Sequence, residues 1–161
     1  MKRLIIIAIL ILLAISAYGQ KAREIYQKYS GSDNVSAVYI SPAMFRMIGS
    51  IPDIQTNEGS VNLAPVIKGM SGLYIIDSEN KSINASIKAD VDKFVASGKY
   101  ELLMEAKESG QIMRMYVEGT PATVNSFVMI STEDDETTFI CLDGNIDRSD
   151  LENLLAEKMK K

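Results

Sequence analysis

Asp143, Asn145, Asp147 and Ser149 stand at alternate positions, the spacing at which a calcium loop offers oxygen ligands to a hard cation. The rest of that pattern is missing. Arg148 occupies the place that needs glycine for the sharp turn, and Leu154 the place that needs a bidentate glutamate. The same residues read more simply as a polar turn at Asp143-Gly144 followed by a helix, with Ser149-Asp150-Leu151-Glu152 as its capping box. No metal is therefore expected at Asp143, Asn145 and Asp147, and no cofactor.

Other residue types give equally incomplete chemistry. Asp77, Glu79, Asp143 and Asp147 fall near expected strand ends and could supply the acid and base of a carboxylate-based hydrolase. With 21 acidic residues in the chain such candidates arise by chance, and no catalytic set is expected. The acidic run at 133–136 reads as a hairpin tip kept soluble by repulsion rather than a cation site. Met113 with Met115, and Met44 with Met47, could offer thioethers to Cu(I), but adaptable core filling is the ordinary role of methionine. Cys141, between Ile140 and Leu142, reads as a buried, unreactive thiol with no second cysteine to pair with. The absence of histidine excludes Ser-His-Asp and Cys-His hydrolysis and every His-ligated metal.

The first nineteen residues bear on compartment. Lys2 and Arg3 precede an apolar run at 4–15, and Ala17 and Gly19 supply small residues ahead of Gln20, the pattern of a secretory signal peptide. The run is about a dozen residues, short of the roughly 20 that span a bilayer. Residues 1–19 are thus expected to be a signal peptide and 20–161 a single domain, periplasmic or secreted, with no lipid and no stable membrane anchor after cleavage. Taking 19 from 161 leaves 142 residues, enough to bury a core without staples. Fifteen basic residues then face twenty-one acidic ones, a net of −6, which speaks against nucleic acid and anionic lipid as partners.

The periodicities divide the mature chain into elements. Ala22, Ile25, Tyr26 and Tyr29 mark a short helix; Val35–Ile40 is a strand; Ser41 and Pro42 open a helix through Phe45 and Ile48. Residues 49–62 have loop composition, 63–68 a turn of helix, and 73–76 the run of a buried strand. Ile83, Ile87, Val91, Phe94 and Val95 define a longer helix with Gly98 at its capping place. Tyr100, Leu102, Met104 and Ala106 then alternate with charged residues, apart from Leu103, and turn at Ser109-Gly110 into Met113, Met115 and Val117. A second hairpin joins 124–131 to 137–143, and a terminal helix faces Leu151, Leu154, Leu155 and Met159 to the core. The expected fold is α+β, a two-layer sandwich in which helices cover one face of a mixed but mainly antiparallel sheet of about six strands.

The stretches Ala37-Val38-Tyr39-Ile40-Ser41-Pro42-Ala43-Met44-Phe45, Gly69-Met70-Ser71-Gly72-Leu73-Tyr74-Ile75-Ile76, Tyr100-Glu101-Leu102-Leu103-Met104 and Leu142-Asp143-Gly144-Asn145-Ile146-Asp147 resemble, in order and spacing, the family known as domain of unknown function 4252. The resemblance implies a small exported protein of a Gram-negative bacterium, with no catalytic residue to transfer and a role in envelope sensing. Some relatives carry a lipoprotein cysteine at the cleavage site; Gln20 departs from that. The expected function is a non-enzymatic interaction or regulatory module that binds an envelope protein or peptide through its sheet edge or through residues 49–62. The alternatives are a small-ligand carrier with a cavity at Met44, Phe45 and Tyr74, or the hydrolase above.

Overall fold

In the computed structural model, which describes residues 18–48, 54–56, 59–61 and 64–150, the alternating segments assemble into one six-stranded sheet. Helix α1 (Tyr18–Tyr29) leads to β1 (Val35–Ile40) and α2 (Pro42–Ile48). A short ribbon, β2 (Ile54–Thr56) with β3 (Gly59–Val61), lies within the stretch read as loop. Helix α3 (Ala64–Gly69), β4 (Met70–Ser78) and α4 (Lys81–Ser97) follow, then β5 (Glu101–Glu108), β6 (Gln111–Gly119), β7 (Thr123–Thr132) and β8 (Thr137–Asp147). Residues 1–17 of the expected leader (1–19) and the apolar face of the terminal helix, beyond residue 150, lie outside the described residues.

The strand order is β1-β4-β8-β7-β6-β5. The α+β sandwich is as expected, but every pairing in the sheet is antiparallel, so the mixed sheet is corrected. A parallel neighbour needs a crossover connection; here the chain between β1 and β4 returns beside β1 in the opposite sense, and β5 to β8 are joined by tight turns. At the first of these turns Ser109 and Gly110 both adopt positive φ, 36° and 95°, the hand that matches strand twist.

Helices α1 and α4 cover one face of the sheet. Ala22, Ile25 and Tyr29 of α1 and Ile87, Val91 and Phe94 of α4 bury against Tyr74, Ile76, Val128, Ile130, Phe139 and Cys141 of the central strands. That apolar packing, rather than helix propensity, is what holds two helices of this length in place. Asp90 ties them together at the surface, accepting from Lys28 Nζ at 2.6 Å and the Tyr29 hydroxyl at 2.7 Å. The N-terminus of α4 is capped by Asn80, whose side chain accepts from the Ser82 amide at 3.1 Å. Gly98 ends α4 in an extended conformation, not the left-handed one of a glycine cap. It is needed for space: a Cβ there would stand 2.7 Å from the Tyr100 ring.

β5 departs from the reading of its alternation. Leu102 pairs with Tyr116 and Met104 with Met115, leaving Leu103 as the extra residue of a bulge. Tyr100 and Leu102 therefore share the helix-covered side while Met104 and Ala106 fall on the other. All eight residues of this edge strand are exposed.

Candidate functional site

One end of the helix-covered face gathers polar groups where apolar ones are due. Across β4, β8, β7 and β6 the register aligns Gly72, Asp143, Ser126 and Glu118. Both partners of β8 slip register beside this row, between Met70 and Gly72 and between Val124 and Ser126; such bulges re-aim side chains and often border sites. The Tyr100 hydroxyl, its ring held edge-on against Phe94, donates to Ser126 Oγ at 2.9 Å. Ser126 Oγ donates in turn to Asp143 Oδ1 at 2.9 Å, and Cys141 Sγ donates to the same oxygen at 3.5 Å.

Burial raises the Asp143 pKa above the ordinary carboxylate value, the Ser126 and Cys141 donors pull it back, and the charge of Glu118 adds to the rise. The Cys141 thiol, wholly buried, is pushed well up by burial and then by the Asp143 charge, so it is neither reachable nor ionised. Burial likewise raises the Tyr100 pKa. Beside the cluster opens a cleft of about 290 Å³, lined by Ser71, Tyr100, Glu118, Asn125, Ser126, Asp143 and Gly144.

The calcium-like residues do not converge. Strand β8 runs on to Asp147, so the expected turn at Asp143-Gly144 is extended chain with a local slip in register. Asp143 points under the helices, Asn145 is exposed, and Asp147 Oδ1 accepts from the Ser149 amide at 2.9 Å and its hydroxyl at 2.7 Å. The cap expected at Ser149 therefore sits two residues earlier, at Asp147, whose pKa these two donors lower. Among the described residues no three His, Cys, Asp or Glu side chains could share a metal ion.

The four carboxylates considered for acid–base chemistry are also divided. Asp77, bonded by Thr138 Oγ1 at 3.0 Å, lies with Glu79 at one end of β4. Asp143 is five residues along β8 from that point, about 17 Å. At the hairpin tip, Asp135 pairs with Lys81 and its carbonyl accepts from Asn84 Nδ2 at 3.0 Å, which docks the tip on the start of α4. Of the residues expected around a cavity, Met44 is 46 % exposed, Phe45 is buried, and Tyr74 is stacked on Tyr39 at 5.1 Å and packed under Tyr26.

The opposite face of the sheet is apolar in its middle. Val38, Ile75, Ile140, Met129, Met115 and Met104 align in one register row across all six strands. At one end of this face Val66 of α3 packs with Val117, Val124 and Ile146, and Met70 and Leu142 close around them. At the other end Asp77 sits beside Glu136, whose pKa rises through the Asp77 charge first, then burial, then Glu133 and Glu79. The rims of the row are open, Val38 at 44 % and Met104 at 41 %, with Leu103 next to it at 57 %.

Glu118, Asn125, Ser126 and the role of Tyr100 were not legible as a site. The available signal was a polar residue at an inward position: Ser126 among Val124, Val128 and Ile130, and Asp143 after Phe139 and Cys141. No helix among the described residues is long and apolar enough to cross a membrane. No curated protein and no solved structure matches the chain. A family model does match, over residues 29–154, which takes in the whole sheet and both the polar cleft and the apolar row. The chain belongs to the family described as "Domain of unknown function (DUF4252)".

Proposed function

We propose that this protein is a non-enzymatic interaction module of the cell envelope, whose open sheet face docks an amphipathic, basic segment of a partner protein. The observation that carries this is the unbroken apolar row from Val38 to Met104, three of whose six members are neighbouring methionines. Five strand spacings make the row about 24 Å wide, the length of a helix of about sixteen residues. Unbranched thioether side chains adapt to varied partners, which suits a recognition surface better than a fixed pocket does. The acidic end at Asp77, Glu79, Glu133 and Glu136 favours Lys or Arg flanking the partner's apolar stripe and repels anionic lipid. Docking on the face is preferred to strand addition at β5, because the bulge at Leu103 interrupts the edge that an added strand would follow. Export rests on the leader-like pattern of Lys2, Arg3 and residues 4–19.

The test is photo-crosslinking in the native host from a benzophenone side chain at position 104, with position 24 on the helix layer as control. A discrete adduct with another protein is expected from 104 and not from 24, weakened when Asp77→Asn and Glu136→Gln are combined. No adduct from 104, the same adduct from both positions, or an adduct only to residues 151–161 of the same chain would each overturn the reading.

A further inference from the structure

The polar cleft lies on the other side of the sheet from the docking face and asks for a different ligand. Its walls carry two carboxylates, Asp143 and Glu118, with Ser71, Asn125 and Ser126 as neutral hydrogen-bonding groups and the Tyr100 ring. Among the described residues no lysine or arginine lines it. Both hydrogen bonds that Asp143 accepts within the cluster end on its Oδ1, from Ser126 and Cys141. The other carboxylate oxygen is engaged by no described residue and is left for the cleft. Glu118 sits one strand beyond Ser126 in the same row, so the two acids flank the serine from opposite sides. The space, about 290 Å³, is that of roughly ten water molecules at about 30 Å³ each, far more than a bare metal ion fills.

From this geometry we infer that the cleft is a binding site for a small organic cation carrying a primary ammonium group, held between Asp143 and Glu118. An ammonium has three donors and no acceptor, which matches walls that offer two carboxylate acceptors and the neutral oxygens of Ser71, Asn125 and Ser126. An anion would meet two like charges with no compensating base, and a neutral polyol would leave both carboxylates without a counter-charge in a half-buried site. Tyr100 and Gly98 set the floor: the ring that closes the cleft can lie where it does only because residue 98 has no side chain.

Isothermal titration calorimetry of the folded domain tests this with three probes of one length: putrescine, 1,4-butanediol and succinate. Saturable binding of putrescine alone is expected, weakened at least tenfold by Glu118→Gln and by Asp143→Asn and unchanged by Glu108→Gln at the far end of β5. Should Asp143→Asn fail to fold, Glu118→Gln decides. Equal binding of the diol, no putrescine binding at 10 mM, or full retention in Glu118→Gln would overturn the inference. None of these outcomes bears on crosslinking from position 104, so the two proposals fail separately.

Discussion

Replacing Ser126 by alanine tests the polar cluster most directly, because its hydroxyl both accepts from Tyr100 and donates to Asp143. Ser126 itself is buried, and the alanine methyl can take part in neither bond. Loss of a hydrogen bond to an ionised group costs about 1.5–3 kcal/mol and a neutral one about 1 kcal/mol. With Asp143 ionised, Ser126→Ala should therefore cost about 2.5–4 kcal/mol. The sign of the pH dependence follows from burial. Because the folded-state pKa of Asp143 lies above its unfolded value of about 3.8, charging this group opposes folding. Its favourable contribution is complete below the unfolded value and is lost as pH rises through the folded one. The Ser126 donor holds that folded pKa down; removing it pushes the pKa further up and deepens the loss at neutral pH. At pH 3.5 both bonds are between neutral groups and the cost should be about 2 kcal/mol. Urea melts of wild type and variant at pH 3.5 and 7.5 measure the difference, and other carboxylates cancel between the two proteins. Tyr100→Phe should be strongly non-additive with Ser126→Ala at both pH values. A cost that is the same at both pH values, or below 1 kcal/mol at pH 7.5, would refute the chain Tyr100–Ser126–Asp143.

Further expectations concern the scaffold. Ile87→Ala should cost about 2–4 kcal/mol and Val91→Ala less, since both side chains are fully buried against the sheet; Lys88→Ala, which breaks only a surface pair with Asp92, should cost under about 0.5 kcal/mol in the same urea melts. Asp147→Ala should cost about 1 kcal/mol and Ser149→Ala distinctly less, because the carboxylate and not the hydroxyl caps the turn; thermal melts at pH 7 decide between them. Millimolar calcium should leave the melting temperature unchanged, as Asp143, Asn145 and Asp147 do not face one point. Gly69→Ala should prevent folding or cost several kcal/mol, since its Cβ would stand 2.7 Å from the Asn145 carbonyl oxygen of β8.

What could be read from sequence was whatever depends on near neighbours in the chain. The stripe Ile87, Val91, Phe94 needs only the helical period, and the turn at Ser109-Gly110 only local backbone preference, so both are where they were expected. Face assignments survived until a bulge intervened: one extra residue at Leu103 sends Met104 and Ala106 to the side opposite Tyr100, and the alternation carries no mark of it beyond the break at Leu103 itself. The polar cleft joins residues 26 and 17 positions apart in the chain, and the methionine row depends on the pairing of β5, β6 and β7. Neither is encoded in any window of sequence. Asp143 was singled out for the spacing of its neighbours, whereas its chemistry comes from what packs over it.

Cys141 stands in the middle of the sheet, between Tyr74 and Val128, with none of its surface reachable from solvent. In an oxidising compartment that placement makes the thiol a clock. It reacts only in chains that have not yet folded or have opened through the centre of the sheet, and each such event leaves a covalent trace that the native state can neither acquire nor erase. There, molecules would be sorted by folding speed: those that close β8 between its neighbours before meeting an oxidant keep a free thiol, and slower ones carry the mark.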